Sequence, residues 1–191
     1  MPLVKNLATQ LDIEPADVSF HYFSWTGDQE GHKGFLPGHA SWITGGSERI
    51  QQWLPQLKEP LQPDQRIAII GWSNGGATAY ELSCDLSRLN PGSVSLLITL
   101  DPVSWTTTPC EATKGEPQRV AKTWVNVYTR STWVDRFKLS NIIALFGKAW
   151  DDNFPTVKAD DLLLLEGSNH GDVLDMWSKK ALKSEKFTQW K

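Results

Sequence analysis

Cysteine is scarce in this chain: Cys84 and Cys110 are the two among 191 residues. Two thiols establish neither a disulfide framework nor a cysteine zinc site, and their rarity mildly favours a reduced compartment. Charge of one sign is lacking as well. A net charge of -3 and a pI near 5.8, with no run of like charges, leave no electrostatic footprint for nucleic acid or an anionic membrane. The N-terminal Met1-Pro2-Leu3-Val4-Lys5-Asn6 lacks the charged-then-apolar pattern of a secretory signal, and no apolar run is long enough to span a bilayer. The expectation is a soluble chain, cytoplasmic by default, with no nucleic-acid partner and no transmembrane segment. Periodicity is also absent. The ten Trp follow no fixed spacing, which excludes propeller and solenoid repeats and leaves packing as their common use.

What is present is an ordinary globular composition, 40% hydrophobic with 14 Gly and 11 Pro, enough for one core and one domain over residues 1–191. Strands are expected at Val18–Trp25, Arg66–Ile70, Ser93–Leu100, Thr123–Tyr128 and Asp161–Leu165. Several are continuous apolar runs, the pattern of strands buried on both faces of a parallel sheet. Helices are expected at Leu3–Leu11, about Ser47–Leu57, about Asn74–Leu89, about Val134–Trp150 and Asp172–Ser184. Strand alternating with helix predicts an α/β sandwich. Pro60–Pro63 and Asn90-Pro91-Gly92 read as joints, Gly31–Gly38 and Thr107–Pro117 as surface loops.

The stretch Gly71-Trp72-Ser73-Asn74-Gly75 fits G-x-S-x-G, a strand-to-helix turn so sharp that its serine takes strained backbone angles and its neighbours must lack side chains. The pattern alone is weak. Its context is stronger, since an apolar strand precedes it and a helix of small residues follows, whose N-terminus would direct N–H groups and positive dipole at whatever Ser73 attacks. A serine hydroxyl needs a base. His21, His32 and His39 precede Ser73, and only His170 follows, in a loop just after the apolar run Leu162–Leu165. That is the carboxyl end of a strand, where ligands and catalytic groups gather in open parallel sheets. The bland alternative is a solvent-facing loop histidine. Asp101, at the end of Ser93–Leu100, would orient the imidazole. As a plain turn residue before Pro102 it would do nothing of the kind, and Asp135 is the rival acid.

With Ser73, Asp101 and His170 in that order, the chain resembles the α/β-hydrolase superfamily. Leu97-Ile98-Thr99-Leu100-Asp101-Pro102-Val103 is similar to the acid-bearing segment of its lipase branch, and the likeness covers most of the chain. The resemblance implies a mostly parallel sheet flanked by helices in three layers. It also implies a lipase, esterase or thioesterase working through an acyl-enzyme, with a small-molecule or lipid-like acyl ester as substrate and no metal or organic cofactor. Ser73 would be the nucleophile, His170 the base, Asp101 its orienting acid, and the Asn74 backbone N–H one oxyanion donor.

One element of the superfamily pattern is missing. If Val18–Trp25 followed by Thr26-Gly27 matches the strand next along, the chain is N-terminally shortened, and part of the usual sheet and its oxyanion loop lie upstream or in a partner chain. In the other register, Val18–Trp25 is the oxyanion strand itself, and Trp25–Gly27 supplies the donor. An incomplete oxyanion hole makes a catalytically impaired or binding protein with the same fold the alternative to an active enzyme. Val134–Trp150, with Phe137, Ile142, Ile143, Leu145 and Phe146, is expected as an amphipathic helix packed on the sheet, a lid being the other use. Trp72 and Trp105 would line an acyl pocket or simply pack.

Overall fold

Four apolar runs become four parallel strands. The computed structural model describes residues 66–104, 120–130, 148–150 and 159–190. Within them β1 (Ile67–Trp72) pairs with β2 (Val94–Leu100), β2 with β4 (Thr123–Arg130), and β4 with β6 (Asp161–Glu166). The order is β1-β2-β4-β6 with every pairing parallel, so the chain steps across the sheet in one direction and all four carboxyl ends share one edge. β2, Val94-Ser95-Leu96-Leu97-Ile98-Thr99-Leu100, is buried at all seven positions, as its mostly apolar sequence leads one to expect, and its two hydroxyls are hydrogen-bonded. β1 and β6 flank the described sheet and are half-buried. This is an α/β architecture.

α1 (Asn74–Leu89) crosses from β1 to β2, and its bounds match those expected from the sequence. Small residues let it lie close to the sheet. Gly76, Ala77 and Ala79 are buried beneath it, and Tyr80, Leu82, Cys84 and Leu86 extend the contact into a core with Val94, Leu97, Trp124 and Trp150. The helix ends where Asn90 turns extended and Gly92 takes φ 80, so the Asn-Pro-Gly joint acts as read. Aromatic edges fill the rest: the Tyr80 ring lies 4.9 Å from Trp124 and 5.1 Å, edge-on, from Trp150.

The core carries one buried polar relay. Trp124 Nε1–H donates to Thr99 Oγ1 at 3.0 Å, Thr99 Oγ1–H to Asn126 Oδ1 at 2.6 Å, and Asn126 Nδ2–H to the Trp150 carbonyl at 2.8 Å. Each group satisfies the next, so fully buried Thr99 and Asn126 carry little desolvation penalty. The relay fixes Trp150, whose own N–H reaches the Pro102 carbonyl at 3.1 Å. Beside it a two-stranded antiparallel ribbon, β3 (Val103–Ser104) with β5 (Lys148–Ala149), brackets the segment that follows Asp101.

Several expectations change. The last three residues of the helix expected over Val134–Trp150 are not helical: Lys148–Ala149 pairs with Val103–Ser104, and Trp150 enters the core. The single helix expected over Asp172–Ser184 is broken into one α-turn, α2 (Val173–Asp175), a π-helical turn (Met176–Lys180) and a 3₁₀ turn (Ala181–Lys183). It ends at Ser184, whose hydroxyl bonds Asp161 and accepts the Phe187 N–H, capping a further helix, α3 (Glu185–Trp190). A tertiary contact to the first residue of β6 overrides the helical pattern there. Cys84 is disulfide-bonded, and Cys110 is the other cysteine of the sequence. The mild preference for a reduced compartment, drawn from the rarity of cysteine, therefore loses its argument. Among the described residues no helix is long and apolar enough to cross a membrane. The elements expected at Leu3–Leu11, Val18–Trp25 and Ser47–Leu57, the loops Gly31–Gly38 and Thr107–Pro117, and residues 134–147 lie outside the described residues.

Half-buried Glu81 of α1 carries a pH dependence. Burial, and secondarily the Asp85 carboxylate one turn on, push its carboxyl up from 4.5 to about 7. Between those values the unfolded chain ionises while the folded chain keeps its proton, so stability falls as pH rises through the window and stays lower above it. Glu81→Gln should therefore raise the melting temperature at pH 8 and change it much less at pH 4. Paired thermal melts of the two proteins at each pH check this.

Candidate active site

The carboxyl edge of the sheet collects one side chain from each of three strand ends. Ser73 follows β1 directly, Asp101 follows β2 directly, and His170 lies in the turn after β6. The parallel order puts all three ends on the same edge, with the end of β4 between those of β2 and β6.

Ser73 holds φ 58 and ψ -132, a left-handed conformation that costs a non-glycine residue about 1–3 kcal/mol. Its backbone is held there from three sides. The Ser73 N–H donates to the Leu100 carbonyl at 3.0 Å, and its carbonyl accepts from Gly76 N–H at 2.9 Å and Val103 N–H at 3.1 Å. Serine before a helix commonly caps it with its side chain, yet Ser73 makes no such bond. Its Oγ lies instead 2.7 Å from His170 Nε2.

The glycines beside it divide differently from the motif's simple reading. A Cβ on Gly71 would sit 2.2 Å from the Gly75 carbonyl oxygen, and one on Gly76 would sit 2.8 Å from Pro102 Cβ. At Gly75 a Cβ would meet nothing within 4 Å among the described residues. Clearance is thus needed at Gly71 and Gly76, and the expectation that Gly75 supplies it is corrected: that position opens away from the turn.

His170 is buried, and its Nδ1 lies 2.7 Å from Asp101 Oδ2. Asp101 is buried too, and Thr129 on β4 serves both its oxygens: the backbone N–H donates to Oδ1 at 2.9 Å and the hydroxyl to Oδ2 at 2.8 Å. A carboxylate that only accepts requires the ring proton on Nδ1, which leaves Nε2 free to accept the Ser73 hydroxyl proton. Such a hydroxyl–imidazole–carboxylate chain can withdraw a proton from the alcohol. Behind Ser73 the N-terminus of the 16-residue α1 adds positive potential.

The structure thus brings together Ser73, His170 and Asp101, and Asn74 opens α1 beside them. His170 is no solvent-facing loop histidine, and Asp101 is more than a turn residue. Asp135, Trp105 and Trp25–Gly27 lie outside the described residues. One neighbour escaped the sequence: Thr129, one residue beyond the expected end of its strand. For Trp72 the sequence suggests lining an acyl pocket or packing, without any bond to His170. The Trp72 indole Nε1–H donates to the His170 carbonyl at 3.0 Å, and its ring lies 5.5 Å from the imidazole. A strand-end threonine carries no motif, so only its position next to the expected strand could have flagged Thr129. Among the described residues no group of three or more His, Cys, Asp or Glu is placed to hold a metal ion. Comparison with known protein families, curated proteins and solved structures found no match for this chain.

Proposed function

We propose that the chain is a serine hydrolase of α/β-hydrolase type, cleaving a carboxylic ester or thioester through an acyl-enzyme. One observation carries this: the two 2.7 Å contacts that join Ser73 Oγ, His170 and Asp101, each from a different strand end. The one-way parallel order β1-β2-β4-β6 and the strained turn at Ser73 also favour it.

In the proposed cycle Ser73 Oγ attacks the acyl carbonyl while His170 Nε2 takes its proton. The carbonyl oxygen becomes an oxyanion facing the start of α1, where the Asn74 N–H is the assigned donor. Collapse breaks the bond to the leaving group, which departs with the proton from His170. Water, deprotonated by the same nitrogen, then frees the acid and restores Ser73. Asp101 keeps the imidazole in the required tautomer and balances its charge when protonated.

A fluorophosphonate probe reports an activated serine without knowledge of the substrate. Labelling of the purified chain that vanishes in Ser73→Ala is the expected outcome, followed by turnover of p-nitrophenyl esters in a series of acyl lengths. A folded chain that resists the probe would overturn the proposal and leave a binding protein on a hydrolase-like scaffold.

A further inference from the structure

The histidine has the longest reach in this site. β1 and β6 are three strand spacings apart, about 14 Å in a sheet of this kind. For His170 Nε2 to meet Ser73 Oγ, the turn after β6 must lean back across the carboxyl ends of β4 and β2. Its internal bracing is local. Asn169 donates its backbone N–H and its side-chain amide to Asp172 Oδ2, and its own Oδ1 and carbonyl accept from the Gly171 and Asp172 N–H groups. Those bonds shape the turn without relating it to β1.

Trp72 supplies that relation. It is the last residue of β1, adjacent to the nucleophile, and its indole N–H takes hold of the main-chain carbonyl of His170 itself. The indole also lies against the imidazole at 5.5 Å with a 31° tilt, restricting rotation of the ring whose two nitrogens must face Ser73 and Asp101. Burial does not account for a tryptophan here. The residue is 42% exposed, so much of its apolar surface stays in water, while its one polar atom is fully used.

We propose that Trp72 is a positioning residue of this site: its indole N–H clamps the His170 backbone to the nucleophile strand and sets the imidazole between Ser73 and Asp101. The kinetic part of this inference rests on the acyl-transfer proposal above. The geometric part does not.

The test compares Trp72→Phe, and replacement of Trp72 by β-(3-benzothienyl)alanine, with the unaltered chain. The second variant keeps the fused ring and lacks the N–H. Two readouts are needed. The first is the downfield proton resonance of His170 Nδ1–H in its short bond to Asp101, which needs no substrate. The second is the kcat and KM split for ester turnover together with the rate of fluorophosphonate labelling per folded molecule.

Both variants should broaden or erase the downfield resonance at neutral pH. They should also lower kcat and the labelling rate by about 10–100-fold, the scale expected from sub-ångström to 1 Å misplacement of a reacting group, with KM little changed. A merely structural Trp72 would lower the melting temperature while leaving the resonance and the rate per folded molecule intact, and that result would overturn the proposal. An unaltered chain that does not label, but whose resonance is lost in the variants, refutes the hydrolase reading and leaves the clamp standing.

Discussion

Asp101→Asn is expected to lower kcat/KM for ester turnover by on the order of 10⁴-fold while leaving the fold and melting temperature nearly unchanged. The amide has the volume of the carboxylate but cannot satisfy the same partners. Thr129 presents a backbone N–H to Oδ1, and a backbone donor cannot turn away. The asparagine must therefore place its oxygen there and its NH₂ at the Oδ2 position, facing the Thr129 hydroxyl and His170 Nδ1. The hydroxyl can rotate to accept. The imidazole can accept only by moving its proton to Nε2, which then points a donor at Ser73 Oγ and can no longer take its proton. Steady-state kinetics beside a thermal melt checks this. A variant as active as the unaltered chain would mean that Asp101 does not set the tautomer.

Gly71→Ala is the second large effect, on stability. Its Cβ would fall 2.2 Å from the Gly75 carbonyl oxygen, 2.7 Å from the Gly75 carbonyl carbon and 2.8 Å from Ala79 Cβ. Two of these atoms are backbone in the first turn of α1, so relief requires the helix itself to move off the sheet. Overpacking of this kind costs about 3 kcal/mol or more, against the ~5–15 kcal/mol that holds a typical domain folded. The protein is expected to be recovered unfolded or with a sharply lowered melting temperature. Gly75→Ala tests the same motif from its other end. With open space around that position among the described residues and up to about 1 kcal/mol of helix propensity to gain, it should melt at the same temperature or higher. Equal damage from both would refute the division of labour between the two glycines.

The sequence shows the sheet where burial is complete and becomes illegible where contacts are few. β2 is covered on both faces, so every position is constrained and its apolar run marks its bounds to within one residue. β3 and β5 are two residues each, too short for any period to register, and they form because Val103 and Ala149, far apart in sequence, meet in the fold. The broken helical stretch from Val173 to Lys183 keeps an unbroken helical pattern in sequence, while Ser184 is claimed by Asp161, which lies 23 residues away. Of the site, Ser73, Asp101 and His170 were legible because chemistry restricts each role to few residue types. Thr129 meets Asp101 through a main-chain N–H and a hydroxyl, and Trp72 meets a main-chain carbonyl of His170; neither partnership leaves a residue pattern to read.

Ser73 and His170 are separated by 97 residues of chain, with the strands between them laid down in order. On the ribosome Ser73 therefore emerges first and waits for His170. At ordinary elongation rates the interval lasts about 5–20 s. Through that time the serine is an unassisted alcohol at the end of an incomplete sheet. A nascent chain of this protein carries Ser73 without the imidazole that meets it in the fold.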